Sequence, residues 1–149
     1  MEVLIPDFQG RTELIDLVAA EGPDIISHNL ETVRRLTPSV RSRATYDGSL
    51  SVIRHIAKLG IRSKSGIMLG LGETEEEILQ TMDDLLQAGC EVMTIGQYLQ
   101  PTRNHYPLQD YITPEQFAHY GEIGRAKGFL HIESAPMVRS SYHAERHVH

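Results

Sequence analysis

The residues that could do chemistry occur at five points of the sequence, and at each point they follow an apolar run. The polar or glycine-rich segments are 7–10, 28–31, 70–73, 96–101 and 134–136. If the apolar runs are parallel strands, their carboxyl ends meet at one edge of a sheet, where α/β proteins bind their ligands. The alternative is a set of solvated loops. Five polar strand ends together favour a ligand site.

The glycine-rich segment 70–73 favours a neutral ligand over a phosphate. Glycine lets a backbone approach a ligand closely, and the start of the helix expected near Thr74 would attract an anion. Four glutamates crowd this helix start: Glu73, Glu75, Glu76 and Glu77. They complement the helix dipole and would repel a phosphate. We therefore predict a neutral ring that hydrogen-bonds to backbone groups.

Lys64 and His28 are further candidates, each with two interpretations. Lys64 shares one face of its strand with Gly66 and Met68, because alternate residues of a strand point the same way. If this face lines a barrel interior, Lys64 is a buried or cleft-facing cation that needs a partner. Otherwise it is an exposed residue at the beginning of a strand. His28, next to Asn29, is either a ligand-binding residue or a hydrogen-bonded core histidine.

Short apolar runs alternate with amphipathic segments and predict the elements that position these residues. The predicted strands are 2–5, 24–28, 62–69, 91–98 and 129–133, and the predicted helices are 11–20, 30–36, 49–59, 75–88 and 113–127. Thr74 and Glu77 form a capping box, and helix 30–36 is expected to stop before Pro38. Parallel crossovers need a dozen or more residues. The pattern therefore predicts an α/β fold, either an open parallel sheet or part of a (β/α) barrel.

The composition indicates one domain and argues against several classes of protein. The chain has 149 residues, of which 40% are hydrophobic, so it can bury a sizeable core. A net charge of −6 argues against a nucleic-acid binder, and no apolar run approaches the roughly 20 residues of a membrane span. With no secretion signal visible and one cysteine, we expect a cytoplasmic protein. Cys90 alone cannot hold an iron–sulfur cluster, and we predict that it is buried.

The charge is distributed unevenly along the chain. Residues 34–64 contain eight basic side chains and one acid, whereas residues 73–91 contain seven acids and no base. One interpretation is two solvated faces of different sign. The other is a basic surface that receives an anionic ligand or an acidic partner.

Five segments of the chain resemble the lipoyl synthase family of radical S-adenosylmethionine (SAM) enzymes. These segments are 3–10, 28–33, 64–73, 94–101 and 139–142, and they follow the family order over nearly the whole chain. The resemblance implies an enzyme that inserts two sulfur atoms into an octanoyl chain carried on a lysine of a lipoyl carrier domain. One [4Fe-4S] cluster cleaves SAM to a 5′-deoxyadenosyl radical, and a second cluster is consumed as the sulfur source.

The resemblance also assigns cofactor-binding roles to five residues. The radical-enzyme motif G-x-I-x-G-x-x-E is matched with Met68 where isoleucine is usual and with Gly70 at the second glycine. The backbone near Met68 then supports the adenine. Asn29 and Glu31 lie where the family contacts the ribose and methionine parts of SAM. Arg41 is the candidate for the methionine carboxylate, because a guanidinium group matches a carboxylate.

Two further roles follow from the resemblance, together with an expectation that the chain is incomplete. Lys64 is the candidate catalytic residue, and Ser140 of Arg-Ser-Ser-Tyr is the candidate metal ligand of the second cluster. The family has two cysteine triplets, this chain has neither, and Cys90 is in neither position. We expect strands three to six of a radical SAM barrel over 1–134, followed by a C-terminal extension or tail over 135–149.

The expected partners follow from this incompleteness. They are an N-terminal half, an iron–sulfur cluster donor and the octanoylated carrier domain, with no nucleic acid and no membrane. We expect the chain to be inactive by itself, since only Ser140 of the ligands of the two [4Fe-4S] clusters is present. Two alternatives stay open. The chain is a non-catalytic remnant or module that binds an adenosyl ligand or a carrier domain, or it is a gene fragment without an independent role.

Overall fold

The computed structural model of the chain describes residues 1–138. Within them lies one open sheet of five parallel strands, and their order in the sheet is their order in the sequence. The strands are β1 (Glu2–Leu4), β2 (Ile25–Ser27), β3 (Arg62–Leu69), β4 (Val92–Gln97) and β5 (His131–Ser134). Each of the five predicted strands is present. The predicted fold class, α/β with a partial parallel barrel, is confirmed.

Helices connect the strands on one side of the sheet. They are α1 (Thr12–Ala20), α2 (Thr37–Val40), α3 (Tyr46–Lys58), α4 (Glu75–Gln87) and α5 (Pro114–Lys127). The predicted capping box of α4 is confirmed, because the Thr74 hydroxyl accepts from the Glu77 amide at 3.2 Å and the Glu77 carboxylate accepts from the Thr74 amide at 2.9 Å. Among the described residues, no helix is both long and apolar enough to cross a membrane.

The predicted helix 30–36 is wrong in its first half. Glu31 instead forms a bridge to β3, with its amide donating to the Gly66 carbonyl at 3.0 Å and its carbonyl accepting from the Met68 amide at 2.9 Å. Strand β3 has eight residues and β2 only three, so the upper half of β3 carries backbone groups that need partners. A single turn of 3₁₀ helix follows (Arg34–Leu36), and Pro38 lies in the first turn of α2, where proline is tolerated.

The two faces of the sheet differ in character. The outer face packs against α3, α4 and α5 in a large apolar core that includes Cys90, as predicted. Burial raises the pKa of the Cys90 thiol to about 12. The inner face carries small and polar residues, among them Lys64, Gly66 and Thr94. Residues of this inner face line the first of the two cavities described below.

The residues after β5 fold back over the end of β4. The Ala135 amide donates to the Ile95 carbonyl at 3.1 Å, and the Gln97 amide donates to the Pro136 carbonyl at 3.3 Å. A side chain on Gly96 would collide with the Val138 carbonyl oxygen, so glycine is required there. The domain boundary after residue 134 stays a prediction. Ser140 lies outside the described residues.

Candidate functional site

A cavity of about 560 Å³ opens at the carboxyl ends of β2, β3 and β4. Four of the predicted cofactor-binding residues line it: Asn29, Glu31, Arg41 and Met68. Gly70 and Lys64 are not among its lining residues. A second cavity of about 650 Å³ lies beside the first and shares Asn29, Glu31 and Arg41 with it. The structure therefore brings most of the predicted site together at the expected edge of the sheet.

Glu31 is held in a backbone conformation that is unfavourable for its residue type. Its φ is +71°, in the left-handed region that non-glycine residues rarely adopt. The bridge to Gly66 and Met68 fixes this conformation. Burial raises the pKa of the Glu31 carboxyl, opposed by the charge of Arg41 and by a hydrogen bond from Asn29. Strain and a half-buried carboxyl group with a shifted pKa at one residue are typical of a functional site.

Arg41 is half-buried and lies between the two cavities. Its Nη1 donates to the Ser49 hydroxyl at 2.9 Å and to the Leu30 carbonyl at 3.3 Å. Burial lowers the pKa of the guanidinium, and the nearby charges of Glu31 and Asp7 raise it. With one nitrogen fixed by two acceptors, the group is held at the cavity wall.

His28 is buried and makes a hydrogen bond through each ring nitrogen. Its Nδ1 lies 2.9 Å from the Ile5 carbonyl oxygen and its Nε2 lies 2.8 Å from the Ser49 hydroxyl. Burial lowers the pKa of the ring. Of the two interpretations of His28, the structure shows the hydrogen-bonded core histidine. Ser49 is a residue that sequence reasoning missed.

Lys64 lies on the inner face, nearer the beginning of β3 than the cavities. Its side chain is 0% exposed, and its Nζ lies 3.1 Å from Oε2 of Glu2, whose side chain is 3% exposed. The Ser27 hydroxyl donates to the same carboxylate at 3.0 Å. Burial lowers the pKa of the Lys64 ammonium, and Glu2 opposes this effect. Lys64 is therefore the buried, partnered cation, and its catalytic role stays a prediction.

The Glu73 carboxylate occupies the backbone amides of the glycine-rich segment just before α4. The Glu73 carboxylate accepts from the Gly70 amide at 3.1 Å and from the Leu71 amide at 3.0 Å. Burial raises the pKa of this carboxyl, and the amides lower it. The Gly70 carbonyl accepts from the amides of Gln109 and Asp110. The Gly70 and Leu71 amides are therefore engaged by Glu73, and the preference for a neutral ligand over a phosphate stays a prediction.

Two glycines and a threonine shape the wall and floor of the first cavity. A side chain on Gly66 would collide with the Thr94 hydroxyl and lie 3.3 Å from the Asn29 amide oxygen. Thr94 and Gly96 line the same cavity. These small residues leave room for a ligand next to Asn29.

The segment after β4 forms the remaining wall. The Tyr98 hydroxyl donates to the Tyr106 carbonyl at 2.6 Å, and both tyrosines line the cavity together with His105. The Gln97 side chain anchors the segment, since it donates to the Asp110 carbonyl and accepts from the Ile112 amide, each at 2.9 Å. Tyr98 lies in segment 96–101, one of the five polar strand ends that favour a ligand site in the sequence.

The basic region is partly neutralised within the chain. Arg34 pairs with Asp47 at 2.9 Å and lies 4.3 Å above the Tyr46 ring. Arg35 makes two hydrogen bonds to the Glu77 carboxylate, at 2.9 and 3.0 Å. The surface offered to an acidic partner is therefore less basic than the sequence alone indicates.

The described residues do not fit an iron–sulfur cluster. Among residues 1–138, no group of three or more His, Cys, Asp or Glu side chains could hold a metal ion. The single thiol, Cys90, is buried in the apolar core with a raised pKa. Cluster ligands would have to come from outside this part of the chain.

Comparison with known proteins agrees with this geometry. The chain is 66% identical to a lipoyl synthase of Bacteroides thetaiotaomicron and 67% identical to one of Porphyromonas gingivalis, over 99% of its own length. A lipoyl synthase of Treponema denticola is 61% identical. The chain spans about half the length of these curated relatives, 52%, 53% and 51% respectively.

A solved structure and a family model give the wider relationship. The radical S-adenosylmethionine methyltransferase TsrM from Kitasatospora setae, with cobalamin and a [4Fe-4S] cluster bound, matches 63% of this chain and 19% of its own at a TM-score of 0.54 and 20% identity. This likeness supports the fold alone. The model of the Radical SAM superfamily matches residues 1–85, more than half of the chain. The chain therefore belongs to the radical SAM superfamily.

Proposed function

We propose that this chain supplies the SAM-binding wall of a lipoyl synthase, which inserts sulfur into a protein-bound octanoyl chain. The observation that carries the proposal is the meeting of Asn29, Glu31, Arg41 and Met68 around one cavity at the carboxyl edge of the sheet. The high identity to lipoyl synthases over 99% of the chain supports the same reading of the cavity.

Each of these residues has a role that its surroundings support. The fixed guanidinium of Arg41 binds the methionine carboxylate, because its planar N–H donors match the two carboxylate oxygens. Asn29 and Glu31 offer an amide and a carboxyl group to ribose hydroxyls and to the methionine part. The backbone near Met68, which lines the cavity, supports the adenine ring, although the Met68 amide itself already donates to the Glu31 carbonyl. Gly70 shapes the turn beneath, since its own amide and carbonyl are already bonded.

Lys64 and Ser140 complete the proposed site. Any direct role of Lys64 requires its buried ion pair with Glu2 to open. Ser140 is the proposed ligand of a second cluster. When SAM and its cluster are bound, they supply the radical chemistry, and the cluster thiolates come from a part other than residues 1–138. On this proposal the chain is inactive alone and acts in the cytoplasm, with an octanoylated carrier domain as substrate and a cluster donor as partner.

The proposal is tested by supplying the missing part. The chain is co-produced with the portion of the Bacteroides thetaiotaomicron lipoyl synthase that it does not match, and SAM cleavage and lipoyl product are measured by mass spectrometry. We expect both products only when both parts are present. Glu31→Ala should lower cleavage at least about tenfold, since it removes a charge-assisted hydrogen bond. Glu115→Ala, an exposed glutamate of α5, is the matched control. No cleavage, while the intact relative is active, would refute the proposal.

The buried, solitary Cys90 favours one second candidate, a binding module without chemistry. Binding of an adenosyl ligand without cleavage, whether the chain is alone or with the missing part, would support this candidate.

Docking of an acidic carrier domain is a separate part of the proposal. Truncating Arg34, Arg35 and Arg43 should weaken it at low salt, mostly through Arg43, because the other two already have acidic partners. Unchanged affinity would remove this docking surface.

A further inference from the structure

A continuous chain of hydrogen bonds joins the carboxyl end of β1 to Arg41. It runs from the Ile5 carbonyl to His28, from His28 to the Ser49 hydroxyl, and from Ser49 to Arg41, with distances of 2.9, 2.8 and 2.9 Å. His28 and Ser49 are 3% and 0% exposed, so water does not compete for these bonds. The sequence analysis names His28 and Arg41 as separate candidates, and the structure shows that Ser49 connects them.

The direction of every bond in this chain is fixed. A carbonyl oxygen only accepts, so Nδ1 of His28 carries the proton and donates to Ile5. In the neutral ring Nε2 is then an acceptor, and the Ser49 hydroxyl donates a hydrogen bond to it. Because the Ser49 hydroxyl proton points to His28, the lone pairs of the same oxygen accept the hydrogen bond from Arg41 Nη1.

The charges around Arg41 make such a constraint necessary. Glu31 and Asp7 both attract the guanidinium, from the two cavities that it separates. A flexible arginine between two carboxyl groups would fold onto one of them and neutralise it. The Ser49 hydroxyl and the Leu30 carbonyl both accept from Nη1, and these two bonds oppose such a movement.

We infer that His28 and Ser49 are positioning residues that hold the Arg41 guanidinium ready for the carboxylate of an amino-acid-bearing adenosyl ligand. The inference rests on the proposed function, because it concerns the same cavity. It adds two residues to the site, neither of which lines the first cavity. Their effect reaches the ligand only through Arg41, so it depends on whether the ligand has a carboxylate.

Two ligands separate this role from a merely structural one. S-adenosylhomocysteine and 5′-methylthioadenosine share the adenosine and the thioether, but only the first carries the amino-acid carboxylate. Binding of each to the 149-residue chain is measured by titration calorimetry. Ser49→Ala should weaken S-adenosylhomocysteine about tenfold and leave 5′-methylthioadenosine within about twofold, because hydrogen bonds to charged groups are the strong ones.

Three further variants complete the design. His28→Phe removes the acceptor for the Ser49 proton and should give the same carboxylate-dependent loss. The double variant should lose no more than Ser49→Ala alone, because both act through one guanidinium. Ser63→Ala is the matched control, a fully buried serine of β3 whose hydroxyl donates to the Gly89 carbonyl away from the cavities. Thermal unfolding of each variant verifies that it is folded, and Ser49→Ala alone decides the question if His28→Phe does not fold.

Each outcome has one meaning. The inference is overturned if both ligands weaken together in Ser49→Ala, or if neither does. If the unmodified chain binds both ligands equally well, the adenosyl site stands and the carboxylate role of Arg41 falls. If it binds neither ligand, the titration is repeated with the co-produced two-part complex, and binding of neither ligand there overturns the proposed function together with the inference.

Discussion

Replacing Lys64 with methionine removes the cation from a buried ion pair while keeping a side chain of similar length. The Lys64 and Glu2 side chains are 0% and 3% exposed and lie 3.1 Å apart. The variant leaves the Glu2 carboxylate in the sheet interior with the Ser27 hydroxyl donating to it. The carboxylate then stays buried without the ion pair to Lys64, and burying a charge without its counter-charge is costly.

The expected loss follows from this geometry. Breaking a buried pair by removing one partner costs about 3–5 kcal/mol, because the other charge stays buried. We therefore expect Lys64→Met to lower the free energy of unfolding by about 3–5 kcal/mol. Removing both charges, in Glu2→Gln/Lys64→Met, should restore all but about 1–2 kcal/mol, since a buried ion pair and an uncharged pair of similar volume are often comparable.

Urea denaturation followed by circular dichroism measures both values. Lys58→Met, an exposed lysine at the end of α3, is the control and should change stability by no more than about 0.5 kcal/mol. A loss below about 1 kcal/mol for Lys64→Met would show that the pair is not the buried charge we describe. So would a double variant that is as unstable as the single one.

Three further predictions concern the site. Gly96→Ala should displace residues 135–138, which exposes Val138 and breaks a backbone hydrogen bond, and so lower the free energy of unfolding by about 2–4 kcal/mol. Urea denaturation measures this loss, and an unchanged midpoint would contradict it. Glu31→Gly should raise stability by about 1 kcal/mol in thermal unfolding through relief of strain, yet abolish S-adenosylhomocysteine binding; retained binding would contradict the role of the carboxyl group. The folded pKa of His28 lies below its ordinary 6.5, so stability should fall as pH drops below that value, and His28→Gln should flatten the loss; parallel pH curves would contradict it.

The elements that the sequence predicts well carry their signals locally. The capping box at Thr74 and the apolar spacing behind it place α4 within one residue of its observed end. The helix prediction for segment 30–36 was wrong in its first half because the conformation there is set by a strand that is distant in sequence. Glu31 satisfies backbone groups of β3 that β2 is too short to reach, and no local pattern records the length difference between two strands.

The site shows the same division. Asn29, Glu31 and Met68, which line the first cavity, could be predicted as candidates because they follow or lie within predicted strands and match family motifs. Ser49 was missed, although one signal was present. It is a polar residue on the face of α3 that buries Val52 and Ile53, one turn further along. A buried serine on an apolar stripe marks a polar partner, but only the packing of α3 on the sheet identifies that partner as His28.

The inner face of β3 shows why stability and binding are separated along one strand. Near its beginning, Lys64 is fully buried with a partner, and every charge there is compensated. Two residues further, Gly66 lines the cavity, and Glu31, whose amide donates to the Gly66 carbonyl, has a left-handed backbone conformation. Substitutions that stabilise the chain should therefore concentrate at the carboxyl end of the strand and those that destabilise it at the other end, because local costs are tolerated only where they serve the site.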